Sequence, residues 1–416
     1  CNRLPEPLIQ VKRVYDALIV GAGPAGNIAA LELSKRGFSV AVLDYRERIG
    51  DKLCTGVLGM ECADRFPIRP ELIYRRASTA AIYSPEGRMF RVERPETQAL
   101  IVDRVSYVSS IATAASHSGA EYWLGWRVSD VSRSSSDVSI TAHRGDATDT
   151  LRGRMLLVAS GFGSPLTESV CLTNGAGRER LVGVQSEVEI GNVTETQVFV
   201  GDRVAPGSFG WLVPTSESRG LLGLMSRQSS SGHFERLCDR LVREGQVKSV
   251  LSPPRRWGIP IRPLPRTYAE RVLVLGDAAG FAKPTTGGGI YYAMLSGAIG
   301  AETAADTLES DNFTADALRP YEDRWKDEFG GELRVGYYAR MLFESMSDAR
   351  LERLMEVFLS ENMQRELIRS PVFSFDRHSG IILRTIGHRQ MIGLIRSTGP
   401  SVLPLLARLA RSSVSA

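Results

Sequence analysis

The sequence has little cysteine and no long apolar run, and these two shortages remove several classes of protein at once. Five cysteines (Cys1, Cys54, Cys62, Cys171 and Cys238) stand in 416 residues, odd in number and without a CxxC pair. Such spacing implies neither a disulfide framework nor a zinc site, and a reducing cytoplasm is the simplest setting. No apolar stretch approaches the roughly 20 residues that a membrane-crossing helix needs. Histidine is also scarce: His117, His143, His233, His378 and His388 are scattered without ligand spacing. Neither a metal site nor a histidine-based nucleophile triad is therefore expected. The chain opens on Cys1 and not on Met, which reads as a missing or processed start. An apolar fraction of 43% and a charged fraction of 24% are those of a soluble globular protein. The length predicts two or three packed units, enough to enclose a large cofactor.

Acidic residues are missing from one place in particular. Asp376 is the last of them, and Arg377, Arg384, Arg389, Arg396, Arg408 and Arg411 follow without a single Asp or Glu. The net charge of +4 thus divides into +6 on this tail and −2 on the rest. Ile381, Ile382, Leu383, Ile386, Met391, Ile392, Leu394, Ile395, Leu403, Leu405, Leu406 and Leu409 lie between the arginines. This arrangement suits a helix on an anionic lipid surface, on the inner face of the cell membrane. It equally suits a terminal helix packed on the body with its arginines in water. Nucleic acid is not an expected partner, because no aromatic residues are interleaved with the basic ones after Phe375.

Tyr15 to Val20 is a short β-rich apolar run ending in glycine, Pro24 to Lys35 has helical spacing, Gly37 stops that helix, and Phe38 to Leu43 is a second buried-strand pattern. Together they read as one βαβ unit with a right-handed crossover. Leu100 to Gly119 reads as an amphipathic helix. Glu121 to Trp126, Val138 to Ala142 and Met155 to Ala159 read as strands, with Ser134 to Ser136 as a hairpin turn. Alternation from Leu181 to Ser226 predicts an antiparallel sheet. Arg271 to Leu275 is another buried strand, Gly289 to Ala305 another helix, and the chain from Leu318 onward is helical in pattern. The predicted fold class is α/β, α+β overall. A Rossmann-type cofactor unit spans 12–64, 100–165 and 266–310, an antiparallel-sheet substrate unit 65–99 and 166–265, and a helical region 311–416.

The chemistry is carried by two glycine-rich turns. Gly21, Gly23 and Gly26 form GxGxxG between strand and helix. Gly21 permits the tight turn, Gly23 admits a diphosphate to the backbone, and Gly26, beside Ala25, lets helix and strand touch. Asp44 closes the second strand, where a carboxylate would accept ribose hydroxyls. The second turn, RVLVLGDAAG from Arg271 to Gly280, ends a strand in Asp277. It leads through Lys283-Pro284-Thr285-Thr286 to Gly287, Gly288 and Gly289, followed by Ile290 and a helix. Two such turns can hold two parts of one long cofactor.

On these residues the chain resembles the FAD-binding family of aromatic hydroxylases and geranylgeranyl reductases. The resemblance implies that Asp277 binds the ribityl or phosphate region of FAD, that Gly287 to Gly289 face the flavin pyrimidine edge, and that Arg104, within IVDR, lies along the cofactor. An exposed salt-bridging arginine is the plain alternative. The Ala-Asp-Gly element of that family stands here as Ala159-Ser160-Gly161, without the acid. Lys52-Leu53-Cys54-Thr55-Gly56 is similar to the Cys-Gly segment that geranylgeranyl reductases, the digeranylgeranylglycerophospholipid reductases among them, place beside the isoalloxazine. Phe209-Gly210-Trp211-Leu212-Val213-Pro214 resembles their YxWxFP element, with Phe209 for Tyr and Val213 for Phe.

The implied activity is saturation of isoprenoid carbon–carbon double bonds on a lipid, with electrons from NAD(P)H or a ferredoxin-like donor. Reduction of an isolated alkene needs hydride on one carbon, a proton on the other and a dry channel. Cys54 is the candidate beside that centre, or else a small thiol filling space. Trp211 lines the channel or packs in the sheet. A flavin monooxygenase or halogenase is the competing reading, although a halogenase should show WxWxIP and Phe209 to Pro214 carries one tryptophan. A non-catalytic flavoprotein is the third.

Overall fold

The structure, a computed structural model, describes residues 13–52, 54–170, 179–227, 231–358 and 373–388, with residues 360, 363, 365, 370, 371, 404 and 408. Strand β1 (Val14–Val20) ends in four buried residues. The glycine turn follows, and helix α1 (Pro24–Lys35) begins on a proline, whose missing N–H costs nothing in a first turn. Gly37, at φ 86°, reverses the chain after α1 into the wholly buried β2 (Val40–Asp44).

Next come β3 (Val57–Gly59), helix α2 (Met60–Arg65), β4 (Ile73–Ala77), β5 (Thr79–Tyr83), β6 (Met89–Glu93), β7 (Ala99–Val102) and helix α3 (Arg104–His117). The expected helix from Leu100 thus starts late. Leu100, Ile101 and Val102 are buried strand residues, and only at Asp103, whose carboxylate accepts the Ser106 N–H at 3.0 Å, does a helix begin. Strands β8 (Glu121–Leu124), β9 (Arg127–Arg133), β10 (Val138–Arg144) and β11 (Ala147–Val158), with the short helix α4 (Leu166–Ser169), complete this stretch. Ser134 and Asp137 close the β9–β10 hairpin.

The second sheet is built from β12 (Arg180–Ile190), β13 (Thr196–Val200), β14 (Phe209–Pro214), β15 (Arg219–Ser226), β16 (Val247–Val250) and β17 (Arg255–Pro260), joined by β5 and β6. Its pairs are antiparallel apart from β13 with β5, and helix α5 (Ser231–Arg243) covers one face. The chain then returns through β18 (Tyr268–Ala269) and β19 (Val272–Val274) to the first sheet.

That first sheet runs in the order β18-β19-β11-β1-β2-β8, with β19, β11, β1, β2 and β8 mutually parallel and the β9–β10 hairpin attached to β11. Strands β3, β7 and β4 form a third, antiparallel sheet. Helix α6 (Gly276–Ala279) and the long α7 (Ile290–Ser310) follow β19, and α7 packs against α1. The continuous apolar core lies between the parallel sheet and α1, α3 and α7.

Helices α8 (Ala315–Trp325), α9 (Gly331–Glu344), α10 (Asp348–Phe358) and α11 (Ser379–Gly387) make up the described C-terminal part. Ile381, Ile382, Leu383 and Ile386 of α11 pack with Val335 and Leu342 of α9, and Arg377 pairs with Glu61 and Glu328. The beginning of the basic tail is therefore docked on the body, because its apolar stripe meets a matching one. Beyond His388 the tail lies outside the described residues, apart from positions 404 and 408. Among the described residues no helix is long and apolar enough to cross a membrane.

Candidate functional site

The three glycines of the first turn sit in unlike surroundings. Gly21 is at φ 113°, and a side chain there would strike the Ala159 carbonyl. A side chain at Gly26 would strike the carbonyl of Gly21. Both are required by the protein's own packing. Gly23 caps α1 and has open space where a Cβ would stand, with no side chain bonded to the cap and no acid in the first turn of the helix. Its smallness and the free N–H groups beside it fit an anionic group arriving from outside, such as a diphosphate. Asp44 supports this cradle: Oδ2 accepts the Ala22 N–H at 2.8 Å and Oδ1 the Arg46 N–H at 2.8 Å.

The second turn lies against the first. A Cβ on Gly276 would be 3.1 Å from that of Ala25, and one on Gly297 of α7 would collide with the Ala25 carbonyl. Ala25 is thus the wedge that holds the two turns together. Asp277 borders Gly289, whose Cβ would be 2.8 Å from Oδ1. Gly287 takes φ 71°, and Gly289 precedes Ile290 at the start of the 21-residue α7, a helix end with no side-chain cap and no acid in its first turn. Such an end favours negative charge. Two uncapped helix N-termini, from α1 and α7, thus belong to turns that meet at Ala25, and their free N–H groups fit the diphosphate and the electron-rich edge of FAD.

Between them runs the segment 50–56. Arg104 is 6% exposed and donates to the carbonyls of Gly50 and Lys52, so it braces this segment from beneath instead of standing as an exposed ion-pairing residue. Lys52 forms an ion pair with Asp277. Arg255 of β17 pairs with Asp51 at 3.1 Å. Cys54 is half-buried with a free thiol, an electrostatic neighbour of Arg104. Thr55 Oγ1 donates to Gln185 Oε1 at 2.8 Å, and Trp211 Nε1 donates to the same oxygen at 3.2 Å. Gln185, on β12 and 2% exposed, thereby joins the segment carrying Cys54 to Trp211.

Trp211 lies over Gly223, and its ring contacts Phe209 and Trp257 edge-on at 6.0 and 6.5 Å between centroids. With Ile101, Leu181, Val213, Met225, Ile259 and Ile261 it forms an apolar cluster that borders Gly287 through Met225 and Ile259. A dry wall beside the second turn is what hydride chemistry on an alkene requires.

Sequence reasoning missed the residues that hold the second turn. Arg340 of α9 has a side chain 2% exposed. It donates to the carbonyls of Pro284 and Thr285, to that of Gly207 at 2.9 Å, and to Glu344 at 2.9 Å. Lys283 donates to the Phe375 carbonyl, and Asp376 accepts the N–H groups of Gly59 and Cys62 at 3.1 and 2.9 Å, capping α2. His378 Nε2 donates to the Phe375 carbonyl at 2.9 Å, and its Nδ1 shares a 2.6 Å bond with Thr285. Burial, with the Lys283 charge adding to it, lowers the His378 pKa to about 3, so the ring is neutral. A cavity of about 10 Å³ lies among Lys283, Thr285, Tyr292, Glu332 and His378. The one sequence signal for this support was the isolation of Asp376 as the last acid.

A parallel sheet with two converging glycine turns defines an FAD-binding, Rossmann-type flavoprotein. The chain belongs to the lycopene cyclase protein family, whose model matches residues 16–370. It is 29% identical over 375 residues to digeranylgeranylglycerophospholipid reductase 2 of Methanopyrus kandleri, covering 84% of this chain and 92% of that one. It is 26% identical over 368 residues to the digeranylgeranylglycerophospholipid reductase of Methanocaldococcus jannaschii, with 83% and 91% covered. Among solved structures, a geranylgeranyl bacteriochlorophyll reductase-like protein of Thermoplasma acidophilum superposes with TM-score 0.79 at 20% identity, covering 95% and 99% of the two chains. The p-nitrophenol 4-monooxygenase of Pseudomonas putida reaches TM-score 0.68 at 16% identity, over 86% and 97%.

Proposed function

We propose that this protein is an FAD-dependent reductase that saturates double bonds of geranylgeranyl chains carried on a membrane lipid, with a glycerophospholipid as the foremost candidate. The observation that carries the reading is the meeting of two glycine turns beneath the Trp211 cluster, with Gln185 tying that cluster to Thr55. Relatives named digeranylgeranylglycerophospholipid reductase, matched along most of their length, support it. Bound FAD supplies the hydride.

The protein's own residues do the rest. The Gly21–Gly26 turn, Ala25 and Asp44 hold the adenosine diphosphate half. Asp277, Gly287, Gly288, Gly289 and Ile290 hold the flavin half, with Arg104 keeping Lys52 and Cys54 in place. Trp211, Val213, Met225 and Ile259 exclude water from the prenyl chain. The Cys54 thiol is the proton donor to the second carbon. Residues 12–64, 100–165 and 266–310 constitute the cofactor unit, 65–99 and 166–265 the substrate unit, and 311–416 the helical region. The only complete GxGxxG is taken by FAD, so NAD(P)H visits transiently or a ferredoxin-like protein delivers the electrons. The stretch after His388, basic and apolar, makes a peripheral contact with the inner face of the membrane.

Mass spectrometry of digeranylgeranylglycerophospholipid incubated with the reduced protein tests the reading. Gain of hydrogen pairs is expected. Gain of oxygen would assign the site to monooxygenase chemistry, gain of halogen to halogenase chemistry, and an unchanged lipid would leave a non-catalytic flavoprotein. Cys54→Ser should stay yellow and lose turnover, with kcat falling more than KM changes.

A further inference from the structure

Lys283 carries a buried charge that the cradle described above leaves unused. It is 7% exposed, and its ammonium donates to the Phe375 carbonyl at 2.7 Å and stands 4.7 Å from the Phe375 ring centroid. Its side chain runs directly beneath the glycine run: a Cβ on Gly288 would lie 3.0 Å from Cε and 3.7 Å from Nζ. The backbone closes over it, with the Lys283 N–H donating to the Gly288 carbonyl at 2.9 Å and the Gly287 N–H to the Lys283 carbonyl at 2.8 Å. Asp376, Glu332 and Glu61 act on this ammonium through space, Asp376 most strongly. His378, also beside it, is neutral.

We infer that Lys283 is an electrostatic positioning residue whose positive charge beneath the Gly287–Gly289 turn, partly offset by Asp376, raises the reduction potential of the cofactor held on that turn. The inference rests on the reading of the site as an FAD cradle. Reduction adds negative charge to the flavin at its pyrimidine edge, and a fixed cation in a poorly screened interior stabilises the charged form more than it would in water. The uncapped α7 N-terminus acts with the same sign from the same side. Burial draws the Lys283 pKa down and pushes that of Asp376 up, and the charge of each opposes the shift of the other.

The test is the midpoint potential of the flavin in the full-length holoprotein, with the FAD dissociation constant measured alongside. Lys283→Met should shift the reduced-to-oxidised ratio at least tenfold towards oxidised, about 30 mV more negative for a two-electron couple. Asp376→Asn should shift it the opposite way, and Lys283→Arg should stay near the parent value. Parent-like potentials in both Lys283→Met and Asp376→Asn, or shifts of the same sign, would overturn the inference. If Lys283→Met does not retain flavin, Asp376→Asn decides by the same criterion. A parent protein that binds no FAD would instead remove the reading of the site, and this inference with it.

Discussion

The two glycine turns face one cleft but are held in different ways. At the first, Gly26 packs on the carbonyl of Gly21, Gly21 on that of Ala159, and Asp44 bonds the Ala22 N–H, so nearly all its support comes from one βαβ unit and its neighbouring strand. At the second, Arg340 grips two carbonyls from a distance of more than fifty residues, Phe375 and His378 anchor Lys283 and Thr285 from about ninety residues away, and Lys52 reaches Asp277 from the opposite direction along the chain. A turn built locally is broken first by changes to its own glycines and their immediate neighbours. A turn built from long-range contacts is open to changes elsewhere in the chain.

The sharpest way to break the contrast is Arg340→Ala, which strands the carbonyls of Pro284, Thr285 and Gly207 and leaves Glu344 with Arg227 as its remaining arginine partner. A loss of about 3–5 kcal/mol is expected for breaking a buried charged network, read by urea denaturation. Gly26→Ala should cost less, about 1–3 kcal/mol for overpacking, and should abolish FAD binding through distortion of the same turn.

Gly23→Val sharpens the comparison further. A Cβ there meets nothing within 4 Å, so the apo form should keep its stability within about 0.5 kcal/mol while flavin titration shows no binding. Retained flavin would contradict the assignment of this cleft. The remaining prediction concerns pH. His378 is neutral in the fold with its pKa lowered to about 3, so the unfolded chain binds the extra proton first, and stability should fall as pH drops from about 6.5 towards 3. His378→Asn should flatten that part of the stability profile in thermal melts at stepped pH. An unchanged slope would show that the ring is not buried neutral.

The legible part of this molecule was its local part. The βαβ unit, its glycines, the second glycine run and the antiparallel alternation of 181–226 can be read because each is set by neighbours within a few residues: strand period, a Pro at the start of α1, Gly37 at its end. The start of α3 was misread because Leu100, Ile101 and Val102 suit a helix and a buried strand equally, and pairing with β3 and β4 decides between them. Gln185 was invisible for a related reason: a glutamine inside a strand pattern reads as a solvent-facing residue until Thr55 and Trp211 close on it.

By itself, then, the amino-acid order determined that a strand–glycine turn–helix unit opens at Gly21 and that a second glycine turn follows Asp277, since backbone sterics act over a few residues. Only the tertiary structure decided that these turns touch through Ala25, that Arg104 braces a loop, and that the start of the basic tail is docked on the body. Those outcomes depend on which distant surfaces exclude water from one another, and no local pattern encodes that choice.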